Sequence, residues 1–389
     1  MSICNVKKVA LYGAFDRYNY GDNLMPILLD LFFSDNYPGQ FNFVFTSIKK
    51  SDLTQYKCMP TVSMRSLISD NSISSVIIVG GEVLAADAGV LYTHVQNSIN
   101  VVSLLKFMRR LNYNLFTHIA KRLYGAVWDY PYIPNKDSFS HPVNVIYNTV
   151  GGEPKGKSFD DLRSAEFISV RDSRTFDALS GIQNVKLVPD SVLMLSKVVT
   201  ISDMLKNVQH DIEGFVLEKE FIVIQCCPYK VTFTASELSS CIDNIVNEYD
   251  LDVVLLPIGY ASGHDDVIFL KDVHEKCKKK THLFYDLNVW EIMYLIANSS
   301  SFYGTSLHGV ITAMSYRVPH FCINSKIEKL TSFLKTWSVS PYNQAIDCSD
   351  IKRSLELITD ESKVLIDEKV NLAQSIIEDS FKDIYNIIK

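Results

Sequence analysis

Short apolar runs alternate with stretches of helical periodicity along most of the chain. KKVALYG leads into GDNLMPILLDLFF, and FNFVFT, SSVIIVGG, VNVIYNTV, EFISVR and VKLVPD follow. Strands of this kind, each followed by a helix, predict parallel sheets covered on both faces. The alternation pauses over SVLMLSKVVTISDMLKNVQHDIEGFVLEKE, then restarts at FIVIQCC and continues through LDVVLLPIG, THLFYDL, VWEIMYLIAN and SFYGTSLHG. The pattern predicts an α/β protein of two Rossmann-like, doubly wound domains, over residues 1–195 and 196–360, joined near 196–220. Residues 361–389 carry apolar positions at three- and four-residue spacing, an amphipathic helix.

The segment 98–140 departs from the alternation. Its stretch VVSLLKFMRRLNYNLFTHIAKRLYGAVW mixes large apolar residues with Lys106, Arg109, Arg110, Lys121 and Arg122. Two readings stand: a packed helical insertion with a solvated basic face, or a surface that rests on the anionic inner face of a membrane.

Composition narrows the function classes. A chain of 389 residues, 47% hydrophobic and 21% charged, is globular and long enough for two cores. With 38 basic against 44 acidic residues the formal charge is −6, which gives no support to a nucleic-acid binder. No apolar run reaches the ~18 residues of a spanning helix, and MSICNVKKVALYG enters a strand directly, so the expected location is cytoplasmic. The eight cysteines form no C-x-x-C pair and read as reduced core thiols. The histidines show no metal-ligand spacing, and no metal is expected.

Candidate chemistry gathers where predicted strands end. GGEPKGKS, residues 151–158, satisfies G-x-x-x-x-G-K-S/T, but FDDLRSA offers too short a helix to present amides to a phosphate, and Pro154 removes one donor. This predicts a glycine-rich loop bordering a pocket, and no nucleoside triphosphatase. In LYGAFDRYNYGDNLMP, Gly13 ends a strand, Asn19 sits in a polar loop, and Gly21 and Asp22 open a helix, the glycines permitting positive φ and close backbone approach to a ligand. Asp22 either caps that helix or presents a carboxylate to a sugar hydroxyl. VIIVGGEVL repeats the design with Gly80, Gly81 and Glu82, and LVPDSVL sets Asp190 at a sheet edge. SVRDSRTFDAL puts Arg171 at a strand end, as a fork for a carboxylate or phosphate or as the ion-pair partner of Asp172 or another acid. In YGTSLHG, His308 begins a helix after Gly304, Thr305, Ser306 and Leu307, with free amides and a positive dipole suited to an anion.

YGAFDRYNYGD, VGGE, SVRDSRTFDAL, VPD and FYGTSLHGVITAMSYRVPHFCI, in that order, resemble the polysaccharide pyruvyl transferases over residues 9–330. The resemblance implies a glycosyltransferase-B architecture, with a cleft between the domains and a C-terminal helix crossing back to the first. It implies transfer of the enolpyruvyl group of phosphoenolpyruvate to a surface-polysaccharide sugar, lipid-linked or nucleotide-linked, forming a pyruvate ketal and releasing phosphate. No cofactor is called for. Carried over by position, His308 and Asp22 would be catalytic. Arg171 and Gly304 to Leu307 would bind the donor. Gly13, Asn19, Gly21, Gly80, Gly81, Glu82 and Asp190 would bind the acceptor. Ser306 departs from the family pattern, which has an arginine two positions before the histidine; Arg174, Arg317 and Lys326 are the candidates to replace its charge. The departure keeps open a nucleotide-sugar glycosyltransferase and a non-catalytic sugar- or anion-binding homologue.

Overall fold

The computed structural model describes residues 6–96, 98–156, 158–249, 251–260 and 266–389. The first sheet holds β1 (Lys7–Tyr12), β2 (Phe41–Ser47), β3 (Val62–Ser63), β4 (Ile73–Ile78), β5 (Asn144–Val150), β6 (Phe167–Val170) and β7 (Val185–Leu187). Their order is β3-β2-β1-β4-β5-β6-β7, and every pairing is parallel. The second sheet holds β8 (Phe221–Gln225), β9 (Asp252–Leu255), β10 (His282–Leu283), β11 (Ser301–Gly304) and β12 (His320–Cys322), in the order β10-β9-β8-β11-β12, again all parallel.

The unbroken apolar runs have a direct cause. Val9 and Leu11 pack on one side of the first sheet with Ile77, Val79 and Ile146, while Ala10 and Tyr12 pack on the other with Val76, Ile78 and Val145. Both faces exclude water, so no position on the central strands tolerates a polar residue facing solvent. The layer holding Val9 and Leu11 is continuous with the core of the second domain.

The chain order reverses between β1 and β4 in one sheet and between β8 and β11 in the other. At such switch points the connecting loops diverge above the strands' carboxyl ends and leave a crevice. The helices that matter to it are α1 (Tyr20–Asn36), α2 (Ala88–His94), α3 (Ile99–Leu111), α4 (Tyr113–Tyr124), α5 (Ser158–Arg163), α6 (Ser173–Ala178), α7 (Leu307–Ser315), α8 (Glu328–Trp337) and α9 (Asp360–Ile388).

Helix α9 ties the two halves together. Its first part stays on the second domain, where Arg317 Nε donates to Asp367 Oδ1 at 2.9 Å and the Tyr342 and Ser362 hydroxyls share a bond of 2.6 Å. Its last part lies on the first, where Asn144 Nδ2 donates to the Ile387 carbonyl at 3.1 Å and Tyr385 stacks on Tyr37 with centroids 3.9 Å apart. Ile366, Val370, Ile377, Phe381, Ile384 and Ile388 form the buried stripe. Each large side chain so buried contributes ~1.5–3 kcal/mol of transfer free energy.

The G-x-x-x-x-G-K-S/T loop leads into α5, which has 6 residues and carries Asp160 and Asp161 in its first turn. Two carboxylates there repel a phosphate. The Ser158 hydroxyl donates to the Lys155 carbonyl at 2.8 Å, and Lys157 lies outside the described residues. The loop's glycine supports the crevice in another way: a Cβ on Gly151 would stand 2.7 Å from Glu82 Oε2 and 3.1 Å from Arg171 Nε.

Candidate active site between the two sheets

Loops from both switch points line one cleft of about 390 Å³. Arg17, Asn19 and Asp22 come from the β1–α1 connection, and Glu82 follows β4. His94 ends α2, and Lys230 follows β8. Ser306, Leu307 and His308 form the start of α7, and Lys329 stands in the first turn of α8. Arg171 and His308 both line this cleft.

Gly21 sets the position of His308. A Cβ at Gly21 would lie 1.7 Å from the imidazole Nδ1, far inside van der Waals contact. The glycine therefore serves close packing between α1 and the histidine, and not a turn. Positive φ, expected of these glycines in general, occurs at Gly80 (+104°) and Gly81 (+87°), but not at Gly13 or Gly21. At Gly13 a Cβ would meet the Phe15 ring at 2.5 Å.

His308 begins a chain of alternating charge. Its Nε2 stands 3.7 Å from Asp190 Oδ2, which also accepts from Arg171 Nη1 at 3.0 Å. Arg171 Nη2 donates to Glu82 Oε2 at 3.0 Å, and Arg174 Nη2 donates to Glu82 Oε1 at 2.5 Å. Burial alone would raise the Asp190 carboxyl, but His308 and Arg171 hold it down, to about 2. Burial likewise opposes Glu82, yet Arg171, Arg174 and Lys329 keep it below the usual carboxylate range.

This network corrects two roles. Arg171 is 1% exposed and shares its charge between two carboxylates, so it is an ion-pair centre and not a free clamp. Its partners are Asp190 and Glu82, whereas Asp172 caps α6 by accepting from the Thr175 amide at 2.9 Å. Trp337 Nε1 also donates to the Arg171 carbonyl at 2.8 Å, fixing the backbone that carries the guanidinium. Asp190, expected on the acceptor side, has no exposed surface and stands behind the wall.

The remaining candidates divide by exposure to the cleft. Asp22 faces it and does not cap α1: its Oδ2 accepts from Asn19 Nδ2 at 2.7 Å, and the Asn19 backbone N–H donates to Asn23 Oδ1. Ser306 caps α7, its hydroxyl accepting from the Gly309 amide at 3.3 Å. Gly304 and Thr305 do not reach the wall. The Thr305 hydroxyl accepts from the Cys227 amide at 3.0 Å, and a Cβ at Gly304 would strike the Phe302 ring at 2.6 Å. Gly80 and Gly81 shape the turn before Glu82, where a Cβ at Gly80 would lie 2.7 Å from Met25 Sδ.

None of the three cations expected to replace the family arginine faces the cleft free of partners. Arg174 is held by Glu82, Arg317 by Asp367 and Asn371, and Lys326 is exposed outside the cleft wall. Lys230 and Lys329 occupy the wall instead, and neither ammonium has a carboxylate ion-pair partner among the described residues. Burial, Lys230 and Arg171 push Lys329 down to about 8. The position of Lys230, just past the carboxyl end of a central strand, is the signal that could have pointed to it. Lys329 lies inside the ordinary amphipathic pattern of EKLTSFLKTW and gives none. Arg17, which donates to Asp16 Oδ1 at 3.2 Å, and His94 also face the cleft without having been singled out.

The Staphylococcus aureus protein MnaA, in a structure with UDP, superposes with a TM-score of 0.55 at 13% identity, covering 98% of each chain. A UDP-GlcNAc 2-epimerase from Neisseria meningitidis, bound to UDP-GlcNAc, gives 0.55 at 10% identity, over 98% of this chain and 100% of that one. The UDP-N-acetylglucosamine 2-epimerase of Rickettsia bellii gives 0.50 at 10% identity, over 98% and 97%. At such identities the likeness shows the fold: two Rossmann-like domains of glycosyltransferase-B type facing a cleft. No curated protein matches the chain in sequence. The profile of the family described as polysaccharide pyruvyl transferase does match, over residues 19–326. That span holds the strands from β2 to β12 together with Asp22, Arg171 and His308, and the chain belongs to the polysaccharide pyruvyl transferase family.

Proposed function

We propose that the cleft transfers the enolpyruvyl group of phosphoenolpyruvate to a sugar of a surface-polysaccharide precursor, forming a pyruvate ketal. One observation carries this reading beyond family membership. Two lysines without ion-pair partners among the described residues, Lys230 and Lys329, share a cleft with the amino end of α7 and with Asp22. A donor bearing a carboxylate and a phosphate suits that charge, because ammonium groups and free helix amides both favour anions.

The chemistry balances on these groups. A proton delivered to the methylene carbon of the donor leaves cationic character at C2, and a sugar hydroxyl adds there as it loses its proton. A second hydroxyl then attacks C2, the C–O bond to phosphate breaks, and phosphate leaves with the second proton. In this reading His308 carries the first proton, a role supported by its close packing on Gly21 and by the facing Asp190. Asp22, oriented by Asn19, receives one from a hydroxyl in the same reading. The lysines and the α7 amides hold the charge that passes from donor to leaving phosphate. Arg171 positions Asp190 and Glu82 and touches neither reactant.

The test is phosphate release from phosphoenolpyruvate with a panel of lipid-linked and nucleotide-linked sugars. Release with at least one acceptor, lost in His308→Ala and Asp22→Asn, is the expected result. Release that persists in both variants removes the assigned roles. Thermal stabilisation by UDP but not by phosphoenolpyruvate would instead favour a nucleotide-sugar donor.

A further inference from the structure

Helices α3 and α4 form a hairpin at the rim of the cleft, and much of its apolar surface is uncovered. In α3, Val101, Leu104, Met108 and Leu111 recur at three- and four-residue spacing and are exposed, Leu111 to 70%. Phe107 lies beside them at 57%. In α4 the buried face is Phe116, Thr117, Ala120 and Tyr124, while Leu115, Ile119 and Leu123 form a second exposed stripe.

Charge identifies what covers this surface. Residues 98–124 contain Lys106, Arg109, Arg110, Lys121 and Arg122 and no acidic residue, in a chain whose net charge is −6. Lys121 is matched by Asp129 from beyond the hairpin at 2.6 Å, whereas Lys106, Arg110 and Arg122 are exposed. Apolar stripes flanked by cations that have no ion-pair partner among the described residues suit the boundary between acyl chains and anionic headgroups. A second copy of the same hairpin would set like charges against each other, and no helix among the described residues is long and apolar enough to cross a membrane.

The hairpin is also rigidly joined to the site. Phe116 packs at Gly89 of α2, where a Cβ would lie 2.9 Å from the ring, and Tyr113 donates its hydroxyl to Asp87 Oδ2 at 2.7 Å. Asp87 in turn caps α2, whose Val90, Leu91 and His94 line the cleft. Burial pushes His94 below the usual imidazole value, and the charges of Arg17, Lys106 and Arg109 add to that shift.

We propose that the α3–α4 hairpin docks on an anionic lipid bilayer, inserting Leu104, Phe107, Leu111, Leu115, Ile119 and Leu123 at headgroup depth and holding the cleft mouth against the membrane surface. The inference needs no particular donor or reaction, and its test contains neither. The full chain is floated with phosphatidylcholine vesicles, with and without phosphatidylglycerol, at low and high salt. The expected result is flotation with the anionic vesicles, weakened by salt. The Phe107→Glu/Leu111→Glu and Lys106→Gln/Arg110→Gln variants, all at exposed positions, should lower partitioning by roughly ten-fold or more. Circular dichroism of each variant checks that the fold is kept. Three results overturn the proposal: no flotation with either vesicle, flotation unchanged in both variants, or a dimer in solution that Phe107→Glu/Leu111→Glu dissociates.

Discussion

His308 Nε2 stands 3.7 Å from Asp190 Oδ2, so the imidazole of the second domain faces a buried carboxylate of the first. The same carboxylate oxygen accepts from Arg171, and the seam between the domains is thereby charged and aligned. Asp190→Asn keeps the shape and removes the charge. Breaking a buried pair on one side costs on the order of 3 kcal/mol, to be read from the urea midpoint. The carboxyl is held at about 2, below its unfolded value of ~3.9, so its contribution is complete above about pH 4 and is lost as pH falls toward 2. Acid unfolding over that window should be shallower in Asp190→Asn.

Gly21→Ala asks whether the place of the imidazole matters. The added methyl would fall 1.7 Å from Nδ1, so the ring must move. A displacement of about 1 Å at a reacting group costs roughly 10²-fold in rate, while overpacking costs ~1–3 kcal/mol of stability. Phosphate release should therefore fall far more than the melting temperature suggests.

Lys230→Met and Lys329→Met each remove a cation that forms no close ion pair among the described residues, although Lys329 also helps keep Glu82 charged. A lost charge-assisted contact is worth ~1.5–3 kcal/mol, which corresponds to roughly 10- to 150-fold in affinity. Isothermal titration with phosphoenolpyruvate reads this directly, and Arg171 and Arg174 still hold Glu82 in Lys329→Met.

The pH dependence of binding has a definite sign. Lys329, pushed down to about 8, loses its proton as pH rises through that value, and with it the attraction for an anion. Phosphoenolpyruvate affinity should decline above about pH 8 in the wild type. The decline should be absent in Lys329→Met.

Arg171→Met separates support from direct binding. With Asp190 and Glu82 both left without their shared cation, stability should fall by ~3–5 kcal/mol in a denaturant melt. A variant that melts normally but fails to bind phosphoenolpyruvate would restore Arg171 as a donor clamp.

The fold was legible because its strands are buried on both faces: where Val9, Ala10, Leu11 and Tyr12 are all apolar, only a covered parallel sheet suits them. His308 and Asp22 were legible because strand-end turns before helices are where α/β proteins place chemistry. The partners of Arg171 were not, since Glu82 lies 89 positions away and only the folded sheet brings the two together. Lys329 was hidden because its spacing is that of any amphipathic helix, and its lack of a partner is a property of the packed cleft. The glycine at position 21 read as giving a ligand close access to the backbone, although what it accommodates is a ring from the other domain.

Crystals grown with phosphoenolpyruvate test the central claim most directly. The account predicts density for the donor at the amino end of α7, its anionic groups within hydrogen-bond reach of Lys230 and Lys329 and its methylene carbon toward His308. Density elsewhere on the molecule, or an ordered donor in the cleft that touches neither lysine, would contradict it.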